Sequence, residues 1–264
     1  MDSLFIAKVA LSFLVAGAWI ALATVLSERF GSKIGGLIAC MPSNIVVTLF
    51  FIGITQTPQF ASDATAAVPV GETVACLFLF VFIITAKKYG NWSFVMAFAA
   101  WALLAPFVIT LSGQGIAVSA LIYAAITLAL VSFMERMMRI PSVGKKKTGD
   151  YKPSELAFRA AFSGGIVATA VVVANYFGPL WGGVMATFPA AMFSTMYLLK
   201  RSQGTGFAMA TGKAMVIASS SVVVYGIAIG VAYPAYGLVP GTAISYAISA
   251  AFAALLYPFM ARMK

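Results

Sequence analysis

Residues 30–42 read FGSKIGGLIACMP, and residues 177–189 read FGPLWGGVMATFP. Laid over each other without a gap, they share the Phe-Gly start, the Gly-Gly pair and the closing proline, and Thr48 then falls on Thr195. Self-similarity of this kind sets the architecture before any single residue is interpreted. Working outward, Ala99-Ala100-Trp101-Ala102-Leu103-Leu104-Ala105-Pro106-Phe107 aligns with residues 251–259, which read AFAALLYPF. Lys8-Val9-Ala10-Leu11-Ser12 sits on Arg159-Ala160-Ala161-Phe162-Ser163, and Val70-Gly71-Glu72 lies over Thr211-Gly212-Lys213 once a short gap is allowed. A rival match of residues 115–137 with 241–263, which share a Phe-Met-x-Arg-Met ending, conflicts with the charge pattern of the chain.

That charge pattern belongs to a membrane protein. Of the 264 residues, 62% are hydrophobic and only 9% charged, against about a quarter charged in soluble domains. Mean hydropathy is +0.99. Apolar stretches of about 20 residues, separated by short polar turns, read as transmembrane helices. A β-barrel would alternate at every second residue, and this chain does not. The spans cover residues 4–27, 34–55, 64–86, 92–111, 115–134, 154–175, 180–199, 206–232 and 241–261. The eighth is the longest, with Gly226 and Gly230 as the expected points of bending.

The net charge of +10 raises the question of nucleic-acid binding, and its distribution answers it. Basic residues follow the odd-numbered spans: Arg29 and Lys33, Lys87 and Lys88, a run from Arg136 to Lys152, Lys200 and Arg201, and finally Arg262 and Lys264. The loops at 56–63, 112–114, 175–179 and 233–240 carry no Lys or Arg. This is the positive-inside alternation. It places the N-terminus outside and the C-terminus in the cytoplasm, and it excludes a nucleic-acid surface. The chain is thus expected to be an all-α membrane protein, a nine-helix transmembrane bundle in the plasma (inner) membrane. Residues 1–113 form a first four-span repeat, 114–135 a connecting fifth span, 136–153 a basic cytoplasmic linker, and 154–264 a second repeat. Because the connector crosses once, the second repeat is inverted, giving a 4+1+4 plan of the kind secondary transporters use.

The stretch from Gly182 to Lys213, in which a Gly leads through an apolar run into Phe188-Pro189 and then a further span with a Gly-containing turn, resembles the GlpM-type small inner-membrane proteins. In the first repeat Met41 replaces the Phe. Those proteins are single four-span units, so the resemblance implies that one such unit was duplicated and fused; it implies no particular transport reaction.

Candidate chemistry is confined to a few side chains. The absence of His removes His-based acid–base catalysis and His metal ligands, which argues against an enzyme, a metal or a cofactor. Cys40 and Cys76 fall inside spans at no metal spacing. Lys8 and Arg159 lie near helix ends, where they reach the headgroups and act as anchors. Glu72 and Lys213 each lie about eight residues, on the order of 12 Å, into their spans. They read either as a structural ion pair between the repeats or as the lining of a polar cavity. Pro42 and Pro189 each remove an intrahelical hydrogen bond at a matching position. A break there turns the positive end of a half-helix into the bundle, a geometry that binds anions, whereas a simple kink would be structural. Ser43, Asn44 and Thr48 beside the first proline, and Thr187, Ser194 and Thr195 beside the second, are candidate lining residues or interhelical hydrogen-bond glue. The expected function is transport of a small anionic or zwitterionic solute by alternating access of the two repeats. A lipid flippase, a channel or a scaffold bound through Lys145–Lys147 are the rivals. Expected partners are the lipid bilayer, the solute and a coupling H⁺ or Na⁺, with homo-oligomerisation left open.

Overall fold

The computed structural model describes residues 3–29, 41–136, 138 and 152–262. Every regular element among them is helical: α1 (Ser3–Arg29), α2 (Asn44–Thr55), α3 (Pro58–Ala64), α4 (Val68–Tyr89), α5 (Trp92–Ser112), α6 (Ile116–Arg136), α7 (Pro153–Phe177), α8 (Pro179–Ala186), α9 (Ala190–Gln203), α10 (Thr205–Ala218), α11 (Ser220–Tyr236) and α12 (Leu238–Arg262). A 3-10 turn over Thr65–Ala67 joins α3 to α4. Eight stretches among the described residues are long and apolar enough to cross a membrane, making this a multi-pass membrane protein. Of the second expected span only Met41 onward is described. Lys33, Gly35, Gly36 and Cys40 lie outside the described residues, as does nearly all of the basic linker.

Burial separates inner from outer helices. The α3–α4 span is 78% buried over its most apolar window, whereas α5 is 22% buried despite comparable hydropathy. Leu103 and Phe107 on α5, Leu121 and Leu128 on α6 and Leu255 on α12 all stand exposed. Helices apolar on their outer as well as their inner faces are stable in hydrocarbon and not in water. Small residues set how closely the helices approach. A Cβ on Gly17 would meet the Ala160 carbonyl at 3.1 Å, and one on Gly164 would meet the Phe13 carbonyl at 2.6 Å, so α1 and α7 cross backbone to backbone. Gly183 of α8 lies against the Ala64 carbonyl, and Gly71 of α4 lies against the Thr187 hydroxyl.

The inner spans depart from the expected boundaries for local reasons. The third begins at Pro58, earlier than residue 64, because Thr57 caps it by accepting the Phe60 N–H at 3.0 Å and Pro58 suits a first helical turn. It breaks into a 3-10 turn just before Pro69, which has no N–H to extend the ladder. The eighth span is interrupted at Ser219, not at Gly226 or Gly230. Ser219, Ser220 and Ser221 donate in turn to the carbonyls of Val216, Ile217 and Ala218 at 2.7–2.8 Å. Three consecutive hydroxyls competing for the ladder's acceptors loosen the helix there. The two glycines instead admit neighbours: Gly226 faces Val68 and Gly230 faces Thr65.

Replacing Gly183 by Val should therefore lower the thermal unfolding midpoint in detergent micelles, at an overpacking cost of about 1–3 kcal/mol. Gly165→Ala, directed into open space, should leave the midpoint unchanged or raise it.

Candidate functional site

Of the two prolines of the internal match, Pro189 stands between two helices and Pro42 just ahead of a helix start. The chain is non-helical over Met41–Ser43, and α2 starts at Asn44 with Ser43 at its N-cap and no side-chain cap. In the second half, α8 stops at Ala186 and α9 starts at Ala190, with Pro189 at an equally uncapped N-cap. The Ala190 N–H reaches the Phe188 carbonyl at 2.7 Å and the Phe193 N–H reaches that of Pro189 at 2.8 Å. The early N–H groups of both α2 and α9 thus lack side-chain acceptors at the positive end of a helix dipole. Phe188 holds the second break in place by packing on Trp101 (centroids 4.8 Å apart) and Phe98 (5.6 Å).

The two helix starts open on one cavity of about 90 Å³. Ser43, Asn44 and Ile45 line it from α2, Pro189, Ala191 and Met192 from α9, Glu72 from α4, and Ser219 from the interruption between α10 and α11. Asn44 is 8% exposed and Glu72 5%. Neither polar atom of the Asn44 amide, nor Oε2 of Glu72, has a hydrogen-bond partner among the described residues. Buried polar groups are almost always paired, so an unpaired amide and an unpaired carboxyl at one cavity call for a ligand or water. Ser219 is well held: its hydroxyl lies 2.7 Å from Tyr123 OH of α6 and 3.2 Å from Cys76 Sγ of α4, and donates to the Val216 carbonyl.

The expected site residues divide. Ser43, Asn44, Glu72, Thr187 and Pro189 line the cavity. Pro42 is buried directly beside it, ahead of the α2 start. Thr48, Ser194 and Thr195 do not line it: Thr48 donates to the Asn44 carbonyl at 2.9 Å, Ser194 donates to that of Ala191 at 3.2 Å, and Thr195 is half-buried on α9. Lys213 is also elsewhere. Its Nζ lies 4.0 Å from Glu135 Oε1 at the end of α6. Glu72 and Lys213 form no ion pair, because the third and eighth spans register differently from the gapped alignment. Both run 32 residues, Pro58–Tyr89 and Thr205–Tyr236. Both end in a Gly of positive φ, Gly90 at 59° and Gly237 at 76°. The ungapped register that puts Pro42 on Pro189 continues through both spans, and it puts Glu72 on Ser219. Glu72 consequently lies near the middle of its span, deeper than its expected 12 Å.

Ser219, Tyr123 and Cys76 were not singled out as site residues by sequence. The run Ser219-Ser220-Ser221 in the middle of an apolar span was the available signal. Lys8, read as a headgroup anchor, instead donates to the Ile54 carbonyl at 2.9 Å at the end of α2. Among the described residues no cluster of metal-ligating side chains occurs.

Residues 9–114 match a family described as a protein of unknown function (DUF3147). The matched stretch runs over nearly the same residues as the first four-span unit. No curated protein and no solved structure matches the chain.

Because the Asn44 amide bonds to nothing among the described residues, Asn44→Leu should be neutral or stabilising by about 1 kcal/mol in thermal or denaturant unfolding. A loss of more than about 2 kcal/mol would show that Asn44 serves structure instead.

Proposed function

We propose that this protein is a secondary transporter that moves a small anionic or zwitterionic solute across the plasma (inner) membrane by alternating access of two inverted four-span repeats. The observation that carries this reading is the pairing of residues around the cavity. In the ungapped register, Met41 and Phe188, Asn44 and Ala191, Ile45 and Met192, and Glu72 and Ser219 are equivalent, and all eight line it. Four such pairs around one cavity support a pseudo-two-fold axis through it. The crossing of α1 and α7 agrees: Phe13 meets Gly164, its own equivalent in the alignment of Lys8 with Arg159. A site on the axis between inverted repeats, formed by interrupted helices near mid-membrane, is where alternating-access carriers hold their solutes.

The nine-span plan, with the N-terminus outside and the C-terminus cytoplasmic, belongs to the same reading. Loops assigned to one side do meet: Gln56 donates to Asn175 at 2.5 Å at one end, and Lys200 to Asn91 at 2.9 Å at the other. The resemblance of Gly182–Lys213 to a GlpM-type unit, and the family match ending near residue 114, fit a duplicated unit.

A second reading, lipid handling, is favoured by an apolar groove of about 370 Å³ between α1, α2 and α12, lined by Trp19, Val47, Phe50 and Tyr246 among others. Its two hydroxyls are already engaged, Thr242 with Tyr233 at 2.8 Å and Tyr246 with Met41 Sδ at 3.6 Å. The groove can receive an acyl chain but offers nothing to a headgroup, so the solute reading is preferred.

Purified protein in vesicles, screened with labelled solutes under pH and Na⁺ gradients, should show saturable uptake of a small anion or zwitterion. Glu72→Gln should abolish the gradient dependence while exchange persists, and Asn44→Leu should cut uptake at least tenfold without loss of stability. Lys213→Ala should leave substrate affinity unchanged. Lipid scrambling without solute uptake would replace the carrier reading by the lipid one.

A further inference from the structure

Resting on the carrier reading, the chemistry of the cavity narrows both the solute and its coupling. Its volume of about 90 Å³ is close to that of three waters at about 30 Å³ each, which limits an occupant to a few heavy atoms. Its wall is largely apolar, through Met41, Ile45, Phe188, Met192, Met215 and Val222. Its polar groups are few: the starts of α2 and α9, the Thr187 and Ser219 hydroxyls, the Asn44 amide and the Glu72 carboxyl. A solute that fits has one compact anionic head and a short apolar tail.

Glu72 decides the charge state in which that solute can enter. Among the described residues, the groups around it bring no cation to the cavity. Cys76 lies on its own helix and Tyr123 on α6, both neutral, and α5 and α8 carry no ionisable side chain. Lys213 of α10 is turned to Glu135. Tyr225 of α11 packs in a separate core cluster with Val68 and Ile229. Among the described residues, positive potential therefore comes from the two helix starts. Two unit negative charges about 4 Å apart in a medium of effective dielectric about 20 would weaken binding by about a thousandfold. An ionised Glu72 and a bound anion thus exclude each other. A protonated Glu72 instead donates its O–H to the anion, and the Asn44 amide, unpaired among the described residues and 8% exposed, donates beside it.

We propose that the cavity binds a short-chain monocarboxylate, and that each anion bound brings one proton onto the Glu72 carboxylate. The proton comes from water and no covalent bond to the solute forms or breaks. The loaded site then carries the same net charge as the empty one, so the transported unit is electroneutral.

The test is calorimetric titration of the full-length protein in lipid nanodiscs with propionate, in paired buffers of different ionisation heat. At alkaline pH, wild-type protein should take up about one proton per propionate, and its affinity should fall about tenfold per pH unit. Glu72→Gln should bind propionate with no proton uptake and no such slope. Proton uptake near zero in the wild type at every pH, or uptake that persists in Glu72→Gln, would overturn the coupling. Absence of propionate and acetate binding at every pH would overturn the solute class; the vesicle screen then reports independently on the carrier reading. The wild-type slope keeps the test decisive if Glu72→Gln does not fold.

Discussion

A backbone N–H without a partner costs several kcal/mol in hydrocarbon, and much of this molecule answers to that constraint. Helices in lipid are continuous because continuity satisfies every such group internally. This chain is non-helical at Met41–Ser43 and breaks between two helices at Thr187–Pro189, and both stretches adjoin one cavity. The outer helices α1, α5, α6, α7 and α12 keep lipid away from them. The inner spans are buried to a much greater degree than these outer ones. The shell therefore exists to make two interrupted helices tolerable.

The interruptions also govern which side chains are usable. With Ser43 at the N-cap of α2 making no capping bond and Pro189 at that of α9, no side chain caps either helix start. The hydroxyls nearby are committed to the backbone: Thr187 donates to the Val184 carbonyl at 2.9 Å, and Thr48 to that of Asn44 at 2.9 Å. Among the described residues, what is left uncommitted at the cavity is the Asn44 amide and one oxygen of Glu72. Tyr123 of α6 reaches across to Ser219, tying α6 to the interruption between α10 and α11.

Much of this was legible in sequence, and the failures have physical causes. Apolar runs located most of the described helices within a few residues, since lipid demands length and composition over everything else. The matched prolines located the breaks, because a missing N–H acts locally. The expected pairing of Glu72 with Lys213 is not seen, since Lys213 lies at Glu135. An acidic and a basic residue at similar depth look like partners, yet sequence depth alone does not say which helix faces meet. The interruption at Ser219 was hidden for a related reason. Glycines draw attention as bending points, whereas Ser219, Ser220 and Ser221 act only by borrowing carbonyls from the turn before them. Polar residues one turn from a break were over-assigned to the cavity, because sequence spacing says which residues share a helical face and not which face the cavity adjoins.

The position of Lys213 explains why the site can be built this way. Had it faced Glu72, the two charges would have neutralised each other and filled the cavity with a permanent ion pair, strongly destabilising to break. Turned to Glu135 at the end of α6, Lys213 has a partner beside Arg136 and, among the described residues, leaves the cavity without a fixed cation. The positive potential there is then diffuse, spread over the starts of two helices. Such a source attracts an anion without holding it in a salt bridge, so occupancy stays reversible. In a carrier, a solute held too firmly is never released on the far side. Interrupted helices with uncapped starts are a way to make a site both charged and weak.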